Sequence, residues 1–212
     1  FVAERPDALY LPNGVEDEFF ADPHVTRPPD ADFERVLAAG RPIAGYYGAL
    51  AEWFDYPLLE QTARRRPDWS FVLIGPKYDA SLEGQPLLKL PNVHWLGPRH
   101  YRALPAYLRE FTVATIPFAI NDITLATSPL KLYEYFAGGK PVITTPMPEC
   151  MAFPEVQIVR TPDEFAAALD AARGRVADED HVQRLRALAR GNSWAARVAA
   201  VEAALDQRPA EP

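Results

Sequence analysis

The sequence contains one cysteine, Cys150, in 212 residues. A single thiol excludes an internal disulfide framework, and no Cys-His pattern accompanies it, so we predict a small core or loop residue rather than a nucleophile. No run approaches the roughly eighteen apolar residues of a membrane span, and the N-terminus has no basic start followed by an apolar stretch. The sequence therefore predicts a soluble protein of a reducing compartment.

Net positive charge and metal-ligand spacing are missing as well. The formal net charge is −7 at pH 7, whereas a surface that binds nucleic-acid phosphates needs clustered Lys and Arg. The four histidines do not have the spacing of metal ligands, and no carboxylate cluster suggests a divalent ion. We therefore expect neither a nucleic-acid partner nor a metal cofactor.

Apolar, β-rich runs alternate with helical patterns along the chain. Hydrophobic residues make up 48% of the sequence, which is enough for the core of one large domain. The apolarity of these runs is continuous, as in parallel strands that are covered on both faces. We predict strands at 43–50, 70–75, 93–97, 112–118, 141–145 and 157–160, and helices at 31–39, 55–66, 101–110, 128–138, 162–173, 179–190 and 193–206. This order predicts an α/β fold with a parallel sheet of about six strands.

Two of these helices have clear start signals. Thr161, Pro162 and Glu164 form a Ser/Thr-x-x-Glu pattern with proline at the first helical position. Ser193 follows Gly191-Asn192 and is suited to cap a final helix. That final helix has apolar residues at helical spacing, namely Trp194, Val198, Val201 and Leu205, so we expect an apolar stripe that is partly exposed.

The segment 127–143 is the most informative part of the chain. Ser128 is suited to cap a helix and Pro129 to occupy its first position, which would leave free N–H groups and a positive dipole end for a phosphate. Lys131 and Glu134 are three residues apart and so share a helix face. One supplies a cation for phosphate and the other a carboxylate for sugar hydroxyls. The segment therefore predicts a nucleotide-sugar site.

This segment resembles the donor-binding signature of group 1 glycosyltransferases with the GT-B fold. Its Ser-Pro-Leu-Lys form is similar to sub-families of bacterial polysaccharide synthesis, including glucuronosyltransferase-type enzymes. Other pieces of the chain resemble the family in the same order, at 11–15, 43–50, 69–75, 92–97, 104–108 and 113–118. The resemblance implies a Rossmann-like, doubly wound parallel sheet that forms the C-terminal half of a GT-B enzyme.

The resemblance also implies a domain organisation. Residues 1–20 correspond to an interdomain linker, residues 21–192 to the donor-binding domain, and residues 193–212 to a helix and tail that would cross back to an N-terminal domain. Because the chain starts with Phe1 rather than Met, we expect an acceptor-binding domain outside it. A catalytic base of an inverting enzyme would lie in that domain.

The family signature implies contacts for individual residues. Glu134 corresponds to the Glu that hydrogen-bonds ribose, while the earlier acid of the signature corresponds to Ala126. Asn121, Asp122 and Thr124 are therefore expected at the donor sugar, and Arg99 and Tyr101 near the base. The family's glycine loop corresponds to residues 45–50, and Glu52-Trp-Phe-Asp55 replaces the Arg and Lys that usually follow it. Positive charge is therefore expected from Lys77 and above all from Lys131, which would stabilise the leaving group. The full set of expected donor contacts is Gly48, Lys77, Arg99, Asn121, Thr124, Ser128, Leu130, Lys131 and Glu134.

The implied function is transfer of a glycosyl group from a nucleoside-diphosphate sugar, UDP-sugar first and GDP-sugar second, to a saccharide or lipid-linked acceptor. The expected location is the cytoplasm, and peripheral association with the inner face of the membrane is compatible with it. One alternative is a non-catalytic nucleotide-sugar binding module of a larger assembly. A remote alternative is an acyl-serine hydrolase, because Ser128 and Lys131 satisfy Ser-x-x-Lys, although the chain has no Ser-Asp-Asn or Lys-Thr-Gly.

Overall fold

A computed structural model describes residues 8–206 of the chain. Its six strands form one parallel sheet in the order β3-β2-β1-β4-β5-β6. The strands are β1 (Ile43–Tyr47), β2 (Ser70–Ile74), β3 (Val93–Gly97), β4 (Val113–Ile116), β5 (Val142–Thr144) and β6 (Gln157–Ile158). The sheet grows outward from β1 in one direction and from β4 in the other, so a topological switch point lies between them. This topology confirms the predicted Rossmann-like doubly wound sheet.

Ten α-helices surround the sheet within the described range. They are α1 (Asp17–Ala21), α2 (Ala31–Ala38), α3 (Tyr56–Arg65), α4 (Leu104–Glu110), α5 (Asp122–Leu125), α6 (Leu130–Ala137), α7 (Pro148–Met151), α8 (Pro162–Arg175), α9 (Glu179–Gly191) and α10 (Trp194–Asp206). Short 3₁₀ turns cover Ala80–Leu82, Pro86–Lys89 and Tyr101–Ala103. Every predicted strand and helix is present; β3 has the predicted bounds, and the other elements differ by up to three residues at an end. The sequence missed α1, α5 and α7, which have too few residues to show a helical period.

The helices form two packing groups. α3 packs against α8, whereas α6 packs against both α1 and α9. Right-handed crossovers explain this division, because the sheet grows in opposite directions from β1 to β2 and from β4 to β5, which places α3 and α6 on opposite faces. The central strands β1, β2 and β4 are buried along their whole length, as their continuous apolarity predicted. Cys150 is also buried, within α7, so of the two predicted alternatives it is the core residue and not the loop residue.

Two glycines bring the ends of β1 and β2 together at the carboxyl edge of the sheet. Gly48 has φ +143° and Gly75 has φ +149°, a backbone region that L side chains rarely adopt. A Cβ atom on Gly75 would stand 1.9 Å from the carbonyl oxygen of Gly48. Glycine is therefore needed at position 75 so that the two strand ends can touch.

The segment before α1 is attached to the junction of α9 and α10. The Val15 N–H donates to the Asn192 carbonyl (3.1 Å), and the Trp194 N–H donates to the Val15 carbonyl (3.1 Å). Ser193 caps α10 as predicted, since its hydroxyl accepts from the Ala196 N–H (3.2 Å). The predicted apolar stripe of α10 is exposed. The division of the chain near residues 20 and 192 stays a prediction, and residues 1–7 and 207–212 of those segments lie outside the described range.

The start of α8 also follows its signal in part. The Thr161 hydroxyl accepts from the Glu164 N–H, as predicted (3.2 Å), but the Glu164 carboxylate accepts from the Arg160 N–H one residue before the cap.

None of the helices between residues 8 and 206 is long and apolar enough to cross a membrane.

Candidate functional site

A cavity of about 310 Å³ opens at the carboxyl edge of the sheet, beside the switch point. The ends of β1 and β2, the segment after β3 and the first turns of α6 form its walls. Its lining residues are Tyr47, Gly48, Ile74, Gly75, Pro76, Arg99, Tyr101, Leu104, Leu130, Lys131 and Glu134. Open parallel sheets bind ligands outside the carboxyl ends of their strands at this kind of position. Five of the nine predicted contacts therefore meet in one cavity, namely Gly48, Arg99, Leu130, Lys131 and Glu134.

Glu134 supplies the carboxylate of the cavity wall. The residue is only 3% exposed, and its Oε1 accepts a hydrogen bond from the Tyr101 hydroxyl (3.2 Å). Burial raises the pKa of Glu134, while contacts with Tyr47 and Tyr101 and the charge of Lys131 oppose that rise. Each further hydroxyl that donates a hydrogen bond to a buried carboxylate of this kind stabilises its ionised form.

Lys131 supplies a cation to the same wall. Its Nζ lies 4.9 Å from the centroid of the Phe118 ring and 5.6 Å from that of Tyr46. Burial lowers the pKa of Lys131 to about 8, although the charge of Glu134 works against that shift. Among residues 8–206 no carboxylate lies within ion-pairing distance of this amine. The lysine therefore presents a charge that an anionic ligand can neutralise.

The start of α6 differs from its prediction. The helix begins at Leu130 with Pro129 at the N-cap position, and no side chain caps it. The prediction that Ser128 caps this helix was wrong, because partners distant in sequence bind its hydroxyl. It accepts from the Asn13 N–H (3.1 Å) and donates to Glu149 Oε1 (2.8 Å). Ser128 thus anchors the segment before α6 and does not line the cavity. Its hydroxyl donates to the Glu149 carboxylate and not to Lys131, so the acyl-serine alternative gains no support.

Arg99 lines the cavity, but most of its donors are already engaged. Its Nε donates to Asp30 Oδ2 (2.7 Å), and its Nη1 donates to the carbonyls of Leu96 and Pro98. Burial opposes ionisation of Asp30, yet hydrogen bonds from Arg99, Tyr107 and the backbone outweigh it and lower the pKa of Asp30 to about 2. Asp30 therefore holds Arg99 in place beside the cavity.

Three further predicted contacts lie outside the cavity lining. Lys77 forms an exposed ion pair with Glu83. Asn121 and Thr124 form a reciprocal capping box at the start of α5, in which the Thr124 N–H donates to Asn121 Oδ1 (3.0 Å) and the Asn121 N–H donates to Thr124 Oγ1 (2.9 Å). The structure does not bring these three side chains together with Lys131 and Glu134.

Sequence reasoning missed two polar or backbone elements of the wall, Tyr47 and Gly75. Both stand at or just after the end of a predicted strand, and this position was the signal that could have identified them. Within the described part of the chain, no cluster of three or more His, Cys, Asp and Glu side chains is placed to hold a metal ion.

Comparison with known families agrees with this architecture. The family model described as glycosyl transferases group 1 matches residues 38–173, which is more than half of the chain. The chain belongs to the group 1 glycosyltransferases. It is 30% identical over 200 residues to the putative teichuronic acid biosynthesis glycosyltransferase TuaH of Bacillus subtilis (strain 168), covering 91% of this chain and 49% of that protein. The chain thus spans about half the length of this curated relative.

Solved structures share the fold at low sequence identity. The Anabaena HepE structure in complex with UDP and glucose matches with a TM-score of 0.64 and 16% identity, over 92% of this chain and 56% of HepE. The E. coli structure described as trehalose-6-phosphate bound with UDP-2-fluoro glucose matches with a TM-score of 0.66 and 15% identity, over 92% of this chain and 51% of that one. These similarities show the Rossmann-like fold of GT-B glycosyltransferases.

Proposed function

We propose that this chain is the donor-binding part of a glycosyltransferase and that its cavity binds a nucleoside-diphosphate sugar. The observation that carries the proposal is the pairing of Lys131 and Glu134 on one face of α6, both in the wall of a cavity at the switch point. The lysine suits the diphosphate, and the carboxylate suits the ribose hydroxyls. Arg99 and Tyr101, from the segment after β3, would lie toward the base.

The relatives support a UDP-sugar as the first candidate, and the family resemblance supplies a GDP-sugar as the second. The HepE structure contains UDP and glucose, and the E. coli structure contains a UDP-sugar analogue. TuaH is named for teichuronic acid biosynthesis, which supports a saccharide or lipid-linked acceptor in a bacterial polysaccharide pathway. An acceptor of that kind would be met at the inner face of the membrane, so peripheral association of a longer protein belongs to the same proposal.

Lys131 would act when the glycosidic C–O bond breaks and negative charge builds on the leaving diphosphate. With a pKa of about 8, the amine is mostly protonated at pH 7, and a bound diphosphate would favour protonation further. The uncapped start of α6 adds the positive end of the helix dipole. Charge in a site with little water stabilises the departing group more strongly than it would in solvent. In this proposal a domain outside residues 21–192 holds the acceptor and, if the enzyme inverts, supplies the catalytic base.

Isothermal titration of the folded chain with UDP, GDP, ADP, dTDP and CMP tests the proposal. We expect binding of UDP, ranked before GDP, and a thermal stabilisation that grows with ligand concentration. If no nucleotide at millimolar concentration raises the midpoint of thermal unfolding of the folded chain, the proposal is overturned. Transfer assays on the full-length protein with a UDP-sugar then separate an enzyme from a non-catalytic binding module.

A further inference from the structure

Tyr47 carries a polar atom that the proposed contacts of Lys131 and Glu134 leave unexplained. This last residue of β1 lines the cavity and is only 3% exposed. Its hydroxyl is close enough to the Glu134 carboxylate to influence the pKa of that group, but no hydrogen bond of ordinary length and angle reaches it among residues 8–206. Buried hydroxyls are nearly always paired, because an unpaired one loses its water without recovering a bond.

The position of this hydroxyl is fixed by its surroundings. The Tyr47 N–H donates to the Tyr135 hydroxyl (3.2 Å), and the two rings meet edge to face with centroids 4.9 Å apart. The Tyr47 ring also stacks on Phe20 at 6.4 Å. Because these contacts fix the ring on two sides, its hydroxyl oxygen has little freedom to move toward another hydrogen-bond partner.

The neighbouring tyrosines show that the lack of a partner is particular to Tyr47. The Tyr46 hydroxyl donates to the Ala49 carbonyl (2.8 Å), and the Tyr101 hydroxyl donates to Glu134. Burial raises the pKa of Tyr47 well above its ordinary value, and the charge and close approach of Glu134 raise it further. The hydroxyl therefore stays protonated beside the carboxylate that is proposed to bind ribose.

We propose that the Tyr47 hydroxyl is a second direct contact to the ribose diol of the nucleotide, next to Glu134. This inference rests on the proposed function of the cavity. A ribose hydroxyl located between the two side chains would donate to Glu134 and accept from Tyr47, which would give each group the partner that it can use. A nucleotide that lacks this hydroxyl would leave Tyr47 unpaired again.

The test compares UDP with 2′-deoxy-UDP and 3′-deoxy-UDP by isothermal titration on the wild-type chain and on Tyr47→Phe. We expect Tyr47→Phe to weaken UDP binding about three- to tenfold, the usual range for one hydrogen bond. It should weaken binding of one of the two deoxy analogues by less than about twofold, because that ligand has already lost the contact. Without ligand, the midpoint of thermal unfolding of Tyr47→Phe should equal or exceed that of the wild type, since the substitution removes an unpaired buried hydroxyl.

Tyr56→Phe is the matched control. Its hydroxyl pairs with Ser81 Oγ (3.2 Å) outside the cavity lining, so UDP affinity should not change. If Tyr47→Phe weakens UDP and both deoxy analogues by the same factor, or leaves UDP affinity unchanged, the inference is overturned while the proposed function stands. If the wild-type chain binds neither UDP nor GDP, the proposed function fails and the inference fails with it.

Discussion

Polar residues at the carboxyl edge of the sheet fall into two groups that look alike in the sequence. In the first group, Tyr47, Lys131 and Glu134 line the cavity with bonding capacity to spare. In the second, the side chains of Asn121 and Thr124 are already hydrogen-bonded in the capping box of α5. The difference shows that residue type and position near the strand ends are not sufficient for a binding role. The side chain must also be left free by its neighbours.

Lys77 and Lys131 show the same difference between an engaged and an available side chain, within one residue type. Lys77 follows β2 and forms an exposed ion pair with Glu83. Lys131 lies against the rings of Phe118 and Tyr46, without a carboxylate in ion-pairing range in the described structure. A surface ion pair contributes little free energy, whereas a charge in a cavity that is shielded from water interacts strongly with an anionic ligand. These pairs of residues should therefore differ in ligand binding as they do in structure.

The largest effect is expected for Glu134→Gln. A charged hydrogen bond contributes about 1.5–3 kcal/mol, so UDP affinity should fall by about tenfold or more. Lys140→Gln is the control, because its amine donates to the Arg109 carbonyl beyond the other end of α6 and should leave UDP affinity unchanged. Equal affinities of wild type, Glu134→Gln and Lys140→Gln in titration calorimetry would contradict the assignment of α6 as the donor site.

Lys131→Met should reduce UDP affinity by about tenfold while leaving uridine binding nearly unchanged, because the amine acts on phosphate alone. The free protein should become more stable to heat at pH 7, since a buried charge that costs desolvation is replaced by an apolar side chain. Lys77→Met, measured by the same titrations and thermal scans, should change neither property appreciably. A similar loss of UDP binding in both variants would remove the distinction between the two lysines.

The pH dependence of UDP binding should follow Lys131. Because its pKa is lowered to about 8 in the free protein, raising the pH through 8 removes the proton from the free amine before binding, so affinity should fall. Below that pH the amine is charged and this contribution is fully present. Titrations between pH 7 and 9 should show a decline for wild type and a flat profile for Lys131→Met. A decline of equal size in the variant would assign the dependence to another group.

The smallest effect on binding is expected for Asn121→Ala. Loss of the cap should lower the free energy of unfolding by about 1 kcal/mol, as measured by denaturant titration, with UDP affinity within about twofold of wild type. This outcome would confirm that the capping box is a structural feature. A large loss of UDP affinity with unchanged stability would instead return Asn121 to the donor site.

Much of the candidate site could be predicted from local patterns. Lys131 and Glu134 are three residues apart, which places them on one helix face whatever the rest of the chain does. The capping box of α5 also had a local signal, because Asn121 and Thr124 have the spacing of an N-cap residue and its N3 partner. The same residues also fit a ligand contact in the sequence, and the local pattern does not distinguish the two.

Other features had no local signal. Ser128 looked like a cap, yet its hydroxyl pairs with Asn13, 115 residues away in the chain, and with Glu149, 21 residues away. The Tyr47 backbone pairs with the Tyr135 hydroxyl, 88 residues away. Such partners are set by packing of distant elements, which no short pattern can report.

The sequence by itself determined the succession of strands and helices and the shared face of Lys131 and Glu134, because hydrophobic period and helical spacing are local properties. The tertiary structure decided which polar side chains remain available to a ligand. Packing of α7 and the segment before α1 against the start of α6 engages Ser128, while packing of α1 and α6 around β1 leaves the Tyr47 hydroxyl buried and unpaired beside Glu134. Hydrogen-bond capacity is consumed by whichever partner the fold brings close, and that partner is fixed only when distant parts of the chain meet.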